Sequence, residues 1–170
     1  MTKTIFQFLL LFIILILLQA IVFNNICLFG VAVPFVFIYF IVHLPVTISS
    51  NWLLTLSFLT GLTIDIFANT QGMNSLACTI VAMCRHNILH WYFPREDELT
   101  IPEPSIRSLG IEVFSKYLFT FVLFYCTIIF LIESFSFFNI FRLLLRILCS
   151  TLLTLSLIHI SEPTRHLRIS

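Results

Sequence analysis

Charged side chains are scarce in this chain, at 10% of 170 residues, whereas soluble domains carry about a quarter. Hydrophobic residues make up 59%, and the mean hydropathy is +1.07. A soluble fold of this length could not cover so much apolar surface. The composition therefore excludes a soluble domain and predicts a single polytopic membrane domain that contacts the lipid bilayer. The net charge of +1, without a basic run, argues against a nucleic-acid partner.

Motifs for catalysis and cofactor binding are also missing. The chain has no glycine-rich phosphate loop, no H-E-x-x-H, no G-x-S-x-G and no C-x-x-C. Cys84, His86 and His90 are possible metal ligands, because the two histidines are four residues apart, but no third or fourth ligand is evident. Interfacial histidines at a helix end are the preferred interpretation. We therefore predict a protein that is not an enzyme and that holds no metal or cofactor.

Apolar stretches near the length of a bilayer-spanning helix predict six membrane spans. Their approximate bounds are 4–23, 29–43, 52–67, 73–92, 111–133 and 138–158. The second stretch is short and contains Pro34, so we expect it to be tilted or broken. A polar loop at 94–110 holds an acidic run, interpreted as a solvated face with partner docking as the alternative. The domain covers 1–158, and 159–170 is interpreted as a non-native tail from sequencing-adapter read-through.

The distribution of Lys and Arg sets the predicted orientation. With the N-terminus in the cytoplasm, most of these residues lie on or near the cytoplasmic side and the short outer turns carry none, as the positive-inside rule requires. Arg142 is the exception, since it begins the sixth span on the outer side. Arg142, Arg146, Ser150 and Thr154 recur every four residues, so they form a polar stripe along one face of that span.

Asp65 lies near the end of the third span, where a carboxylate costs roughly 2.5–3.5 kcal/mol on insertion scales. In the six-span arrangement Glu133, Arg142 and Arg146 fall in the same outer half of the membrane. We therefore predict an intramembrane charge cluster of these four residues, which links the third span to the sixth. Two roles stay open for this cluster: holding the bundle together, or taking part in partner contact or transport.

Small residues indicate which face of the third span is packed. Ser57, Gly61 and Asp65 recur every four residues, and Gly72 lies in the polar loop that follows the span. Small residues let helices approach closely. We therefore expect this face to contact protein, through helix packing or partner contact, and to carry Asp65 inward with it.

The same region resembles a family signature. Residues 61–67 read G-L-T-I-D-I-F, and residues 72–77 read G-M-N-S-L-A. They resemble the G-L-x-x-D-x-F…G-x-small signature of the bacterial rod shape-determining protein MreD, and the similarity in length and layout covers about residues 1–157. The resemblance implies that Asp65 takes the family's acidic position. Asn74 stands where many members carry His.

The resemblance implies an all-α, six-helix transmembrane bundle of the bacterial cytoplasmic (inner) membrane, similar to the S components of energy-coupling factor transporters. It implies a non-catalytic scaffold of the cell-elongation (rod) complex, which supports peptidoglycan synthesis and cell-shape maintenance. The implied partners are an MreC-like membrane protein and the rod-system peptidoglycan synthases, with an indirect link to MreB. The alternatives are a substrate-binding subunit of a vitamin importer and a proton-coupled carrier that uses Asp65; the chain is short for the second.

Overall fold

The fold is known from a computed structural model, which describes residues 2–21, 32–92, 104, 110–134 and 140–161. These residues form α-helices and no β-strand, which confirms the all-α class. The helices are α1 (Thr2–Ile21), α2 (Ile38–His43), α3 (Ser50–Ala68), α4 (Met73–Tyr92), α5 (Ile111–Glu133) and α6 (Ile140–Ser161). Helix α6 runs past the predicted domain end at 158, and most of the predicted tail lies outside the described residues.

Three helices in the described part of the chain are long and apolar enough to cross a membrane. They are α3, α5 and the Ile140–His159 part of α6. Helix α1 contributes a shorter apolar stretch, Leu9–Ile21. Helix α4 has the length of a span, but its Asn, Arg and His side chains lower its hydropathy. The chain therefore has the character of a membrane protein with three candidate spans, and the remaining predicted spans and the orientation stay predictions.

The second predicted span is not a continuous helix in its described part. Residues 32–37 are irregular, and only α2 is helical. Pro34 contributes to this, because proline has no N–H and disfavours helical backbone in the residue before it. Residues 34–44 are nonetheless buried. The chain therefore passes through the interior as an irregular stretch followed by less than two helical turns, in agreement with the expectation of a broken span.

The helices pack mainly in chain order. Helix α3 lies against α4, α4 against α5 and α5 against α6, while α1 contacts α3 and α2. The irregular stretch meets α5 through aromatic rings: Phe35 and Phe37 lie edge-on to Tyr125, with ring centroids 5.3 and 5.8 Å away. Large apolar side chains on the outer faces of α1, α3 and α6 stay exposed, as expected where helices face lipid.

A tight turn joins α3 to α4. Asn69 ends α3 in the left-handed region, with φ of 53°, and its N–H donates to the Asp65 carbonyl oxygen. Asparagine is one of the few residues that adopt this conformation routinely. Gly72 has φ of 77° and provides the first carbonyl of α4, which accepts from the N–H of Leu76 at 3.1 Å. Gly72 therefore serves the turn, rather than a contact between helix faces.

Candidate functional site

Asp65 is 3% exposed, and its carboxylate accepts five hydrogen bonds. Oδ1 accepts from the Thr70 hydroxyl at 2.5 Å, from the Asn74 N–H at 3.0 Å and from Asn74 Nδ2 at 2.9 Å. Oδ2 accepts from the N–H and the hydroxyl of Ser75, at 2.8 and 2.6 Å. An ionised carboxylate only accepts hydrogen bonds, so it matches a set made up entirely of donors.

Asp65 belongs to α3, but its carboxylate lies at the N-terminus of α4, and this placement explains how a buried acid is accommodated. Asn74 and Ser75 lie in the first turn of α4, whose N–H groups have no partners inside the helix. The helix macrodipole also favours negative charge at this end. Hydrogen bonds to an ionised acceptor are roughly twice as strong as neutral ones. Asp65 therefore acts as an N-terminal cap for α4, supplied by the preceding helix.

Gly61 sets the distance between these two helices. A Cβ atom here would lie 2.5 Å from Ser75 Cα and 2.6 Å from the Asn74 carbonyl oxygen, both backbone atoms of α4. Gly61 lies one turn before Asp65, so the close approach brings the carboxylate to the first turn of α4. Ser57, one turn further back, is fully buried. The small-residue face predicted from the sequence is therefore packed inside the chain.

Tyr125 of α5 joins the same set of hydrogen bonds. Its hydroxyl donates to Asn74 Oδ1 at 2.7 Å, and its side chain is fully buried. The Asn74 amide thus accepts from the phenol on one side and donates to Asp65 and Thr70 on the other. We call Asp65, Thr70, Asn74, Ser75 and Tyr125 the Asp65 network. It ties α3, α4 and α5 together at one end of the bundle.

The predicted pairing of Asp65 with the arginines of the sixth span is wrong. The salt bridges among the described residues do not include Asp65, and α6 packs mainly against α5 instead of α3. Arg146 pairs with Glu133, with Nη2 3.1 Å from Oε1, and its guanidinium carbon lies 4.8 Å from the Phe130 ring centroid. Arg142 is exposed in the first turn of α6. The pairing fails because backbone and hydroxyl donors close in sequence already occupy the carboxylate.

Arg85 of α4 is a second buried charged residue, and no pattern in the sequence singled it out. Its side chain is 3% exposed. Nη2 donates to the carbonyl oxygens of Val42, at 3.3 Å, and Leu44, and Nη1 donates to that of Pro45 at 3.5 Å. Carbonyls at a helix C-terminus lack partners and carry partial negative charge. Arg85 therefore caps the C-terminus of α2 from a neighbouring helix.

The polar stripe of α6 serves the irregular stretch. The N–H of Val33 donates to Ser150 Oγ at 3.0 Å, and the N–H of Phe35 donates to Thr154 Oγ1 at 3.1 Å. Both hydroxyl residues are fully buried. Two residues of the predicted stripe, Ser150 and Thr154, therefore accept hydrogen bonds from irregular backbone, a role that their spacing alone could not indicate.

Gln19 of α1 also forms hydrogen bonds with the backbone of the irregular stretch. Its Oε1 accepts from the N–H of Val36 at 3.0 Å, and its Nε2 donates to the Pro34 carbonyl oxygen at 2.8 Å. Non-helical backbone at membrane depth is tolerated only where protein or water satisfies it. In the sequence, the polar side chain of Gln19 near the end of an apolar helix was the available signal.

The possible metal ligands are only partly brought together. His86 and His90 face each other, with their Nε2 atoms 2.8 Å apart. Cys84 is a free, half-buried thiol. Within the part of the chain that the structure describes, no three His, Cys, Asp or Glu residues are arranged to hold a metal. The acidic run at 96–98 lies outside the described residues.

No protein-family model, no curated protein and no solved structure matches this chain. Fold and site therefore define the class: an all-α protein with three helices long and apolar enough to span a membrane, in which buried Asp65, Arg85 and Gln19 bond to groups of the chain itself.

Proposed function

We propose that this chain is a non-catalytic membrane scaffold that acts by binding other membrane proteins. One observation carries the proposal: Asp65, Arg85 and Gln19 are buried, and each bonds to groups of the chain itself. A substrate site needs several polar groups that converge on a bound molecule. Here Asp65 and Arg85 hold helix ends in place, and Gln19 holds irregular backbone. That arrangement supports a rigid body that presents its outer surface.

The outer surface suits association within a bilayer. On α6, Phe141, Leu144, Leu148 and Leu152 follow helical spacing, and each is at least 53% exposed. Helices in lipid associate through close packing and a few polar contacts, since lipid tails are as apolar as leucine. Apolar helix faces of this kind can pack against lipid or against a partner's helices, and we propose that one of them receives a partner.

The resemblance to MreD supports a more specific proposal. The residues that carry it, Gly61, Asp65 and Gly72, all belong to the α3–α4 junction described above. We propose that the chain belongs to the rod complex of the bacterial cytoplasmic membrane and has a cytoplasmic N-terminus. It would support peptidoglycan synthesis and cell shape by binding an MreC-like protein and the rod-system synthases, with an indirect link to MreB.

Purification in mild detergent, followed by identification of the proteins recovered, tests this proposal. We expect an MreC-like protein or wall synthases above the level obtained with an unrelated polytopic protein carrying the same tag. Recovery of a transporter energising module or a bound vitamin would instead support a vitamin importer. Unchanged cell shape after depletion of the protein would contradict the scaffold.

Two matched surface variants locate the partner face. L148W/L152W places bulk on α6, and L59W/L62W does so on α3; all four positions are exposed. We expect one double variant to lose the partner while the protein remains at its normal level. Full recovery of the partner with both variants would exclude these two faces as its binding surface.

A further inference from the structure

The last turns of α4 carry a pair of facing histidines that the proposed scaffold does not use. His86 and His90 have their Nε2 atoms 2.8 Å apart, ring centroids 4.2 Å apart and an interplanar angle of 79°. We propose that this pair is a binding site for a divalent transition metal of tetragonal preference, with Cu²⁺ bound more tightly than Ni²⁺ or Zn²⁺. Imidazole nitrogen is a common ligand for these ions.

The separation of the two nitrogens favours tetragonal over tetrahedral ions. Metal–imidazole bonds are about 2.0–2.1 Å long. Two such bonds at a right angle hold their nitrogens about 2.9 Å apart, whereas the tetrahedral angle requires about 3.3 Å. The observed 2.8 Å therefore matches the separation that a right angle requires, and rotation of the rings about their side-chain torsions directs both lone pairs to one ion. Square-planar or tetragonal geometry is typical of Cu²⁺ and Ni²⁺, and affinity within the first row is highest for Cu²⁺.

The existing hydrogen bond prepares the site for a metal. Two neutral imidazoles this close share one proton, with one Nε2–H donating to the other Nε2 lone pair. A metal ion takes the place of that proton and accepts both Nε2 lone pairs. The displaced proton moves to Nδ1 of the same ring, so each imidazole stays neutral and the proton count does not change. Because the rings already face each other, little conformational freedom is lost on binding.

The position of the pair gives a hydrated ion access. His86 is exposed, and the helix ends just beyond the pair at Trp91 and Tyr92. Aromatic residues at a helix end mark the headgroup level of a membrane. At about 1.5 Å of rise per residue, both histidines lie within roughly 8 Å of Trp91 along the helix axis. The remaining coordination positions are filled by water or by a partner's side chain.

Copper binding by the purified full chain tests the proposal. With one equivalent of CuSO₄, we expect a tetragonal EPR signal with splitting from two imidazole nitrogens. In calorimetric titration with Cu²⁺ supplied as its glycine complex, H86Q and H90Q should each raise the Kd at least about tenfold, because chelation by the second ring is lost. The double variant H86Q/H90Q should lose the two-nitrogen signal.

The matched control is H159Q/H166Q, which removes the same number of histidines near the C-terminus and should leave both readouts unchanged. Circular dichroism shows whether each variant keeps its helical structure. Equal copper affinity in H86Q/H90Q and the parent protein would overturn the proposal. Loss of the signal in H159Q/H166Q, or tighter binding of Zn²⁺ than of Ni²⁺, would contradict it as well.

Discussion

At the residue scale, two buried charges are compensated by the ends of helices. The carboxylate of Asp65 accepts hydrogen bonds from the first N–H groups of α4, and the guanidinium of Arg85 donates hydrogen bonds to carbonyl oxygens at the C-terminal end of α2. Burying a charge costs several kcal/mol unless hydrogen bonds and opposite partial charges offset it. Helix ends supply these bonds at fixed geometry. Helix α4 therefore both receives a cap from α3 and supplies one to α2.

The sequence contained the information needed to place Asp65. Its donors lie five to ten residues further along, across a turn marked by Asn69 and Gly72. An opposite charge was predicted beside Asp65 because an acid in lipid needs compensation, but N–H groups of the next helix supply that compensation instead. The burial of Asp65 and the packing role of Gly61 followed from the four-residue spacing of small side chains, because that spacing defines one helix face.

Gly61→Ala tests the close approach of α3 and α4. Alanine favours a helix by about 1 kcal/mol over glycine, whereas overpacking against fixed backbone typically costs about 1–3 kcal/mol. With Ser75 Cα only 2.5 Å from the new methyl group, we expect the clash to prevail and the free energy of unfolding in detergent to fall. Thr63→Ala, at a more exposed position of α3, is the control. A stabilised G61A protein would mean that the helices are further apart.

At the scale of elements, the helices bounded by clear turns were predicted closely. The sequence placed α4 at 73–92 and α5 at 111–133, as the structure has them, because long apolar runs end there at polar, Gly or Pro residues. The irregular stretch before α2 could be expected only as a break. Its path depends on Ser150 and Thr154, more than a hundred residues away. Local pattern carries no information about such contacts.

Thr154→Val tests whether α6 supports the irregular stretch. Valine has a similar shape but no acceptor for the N–H of Phe35, and an unsatisfied buried donor costs about 1–3 kcal/mol. We expect the free energy of unfolding to fall by that amount. Thr127→Val is the matched control, since the Thr127 hydroxyl donates only to the Leu123 carbonyl of its own helix. If both variants lose the same free energy of unfolding, the hydrogen bond from Phe35 to Thr154 does not contribute to stability.

At the scale of the whole molecule, the described helices form a bundle. Its interior contains hydrogen-bonded polar side chains, and many of its exposed side chains are apolar. Three helices meet the length and hydropathy of a membrane span, whereas α4 carries Arg85, His86 and His90. Arg85 is hidden in the interior and the histidines lie at the helix end, so α4 can cross a bilayer despite its composition. Composition alone therefore predicted a membrane protein, and the burial of Arg85 explains how α4, with its polar side chains, can be one of the helices of such a protein.

Cysteine labelling tests the predicted orientation. Ser49 and Gln71 are exposed and lie at opposite ends of α3. In a variant without the native cysteines, an impermeant maleimide should label Q71C in intact cells and S49C only after permeabilisation. This follows from a cytoplasmic N-terminus. Labelling of both positions from the same side would contradict a membrane-spanning α3.

The most direct test of the central claim is a pair of double-mutant cycles on the free energy of unfolding in mixed micelles. The first combines D65A with S75A, and the second combines D65A with R146Q. If Asp65 caps α4, the coupling between Asp65 and Ser75 should be about 1–3 kcal/mol, and the coupling between Asp65 and Arg146 should stay within about 0.5 kcal/mol of zero. A coupling to Arg146 as large as that to Ser75 would contradict the account.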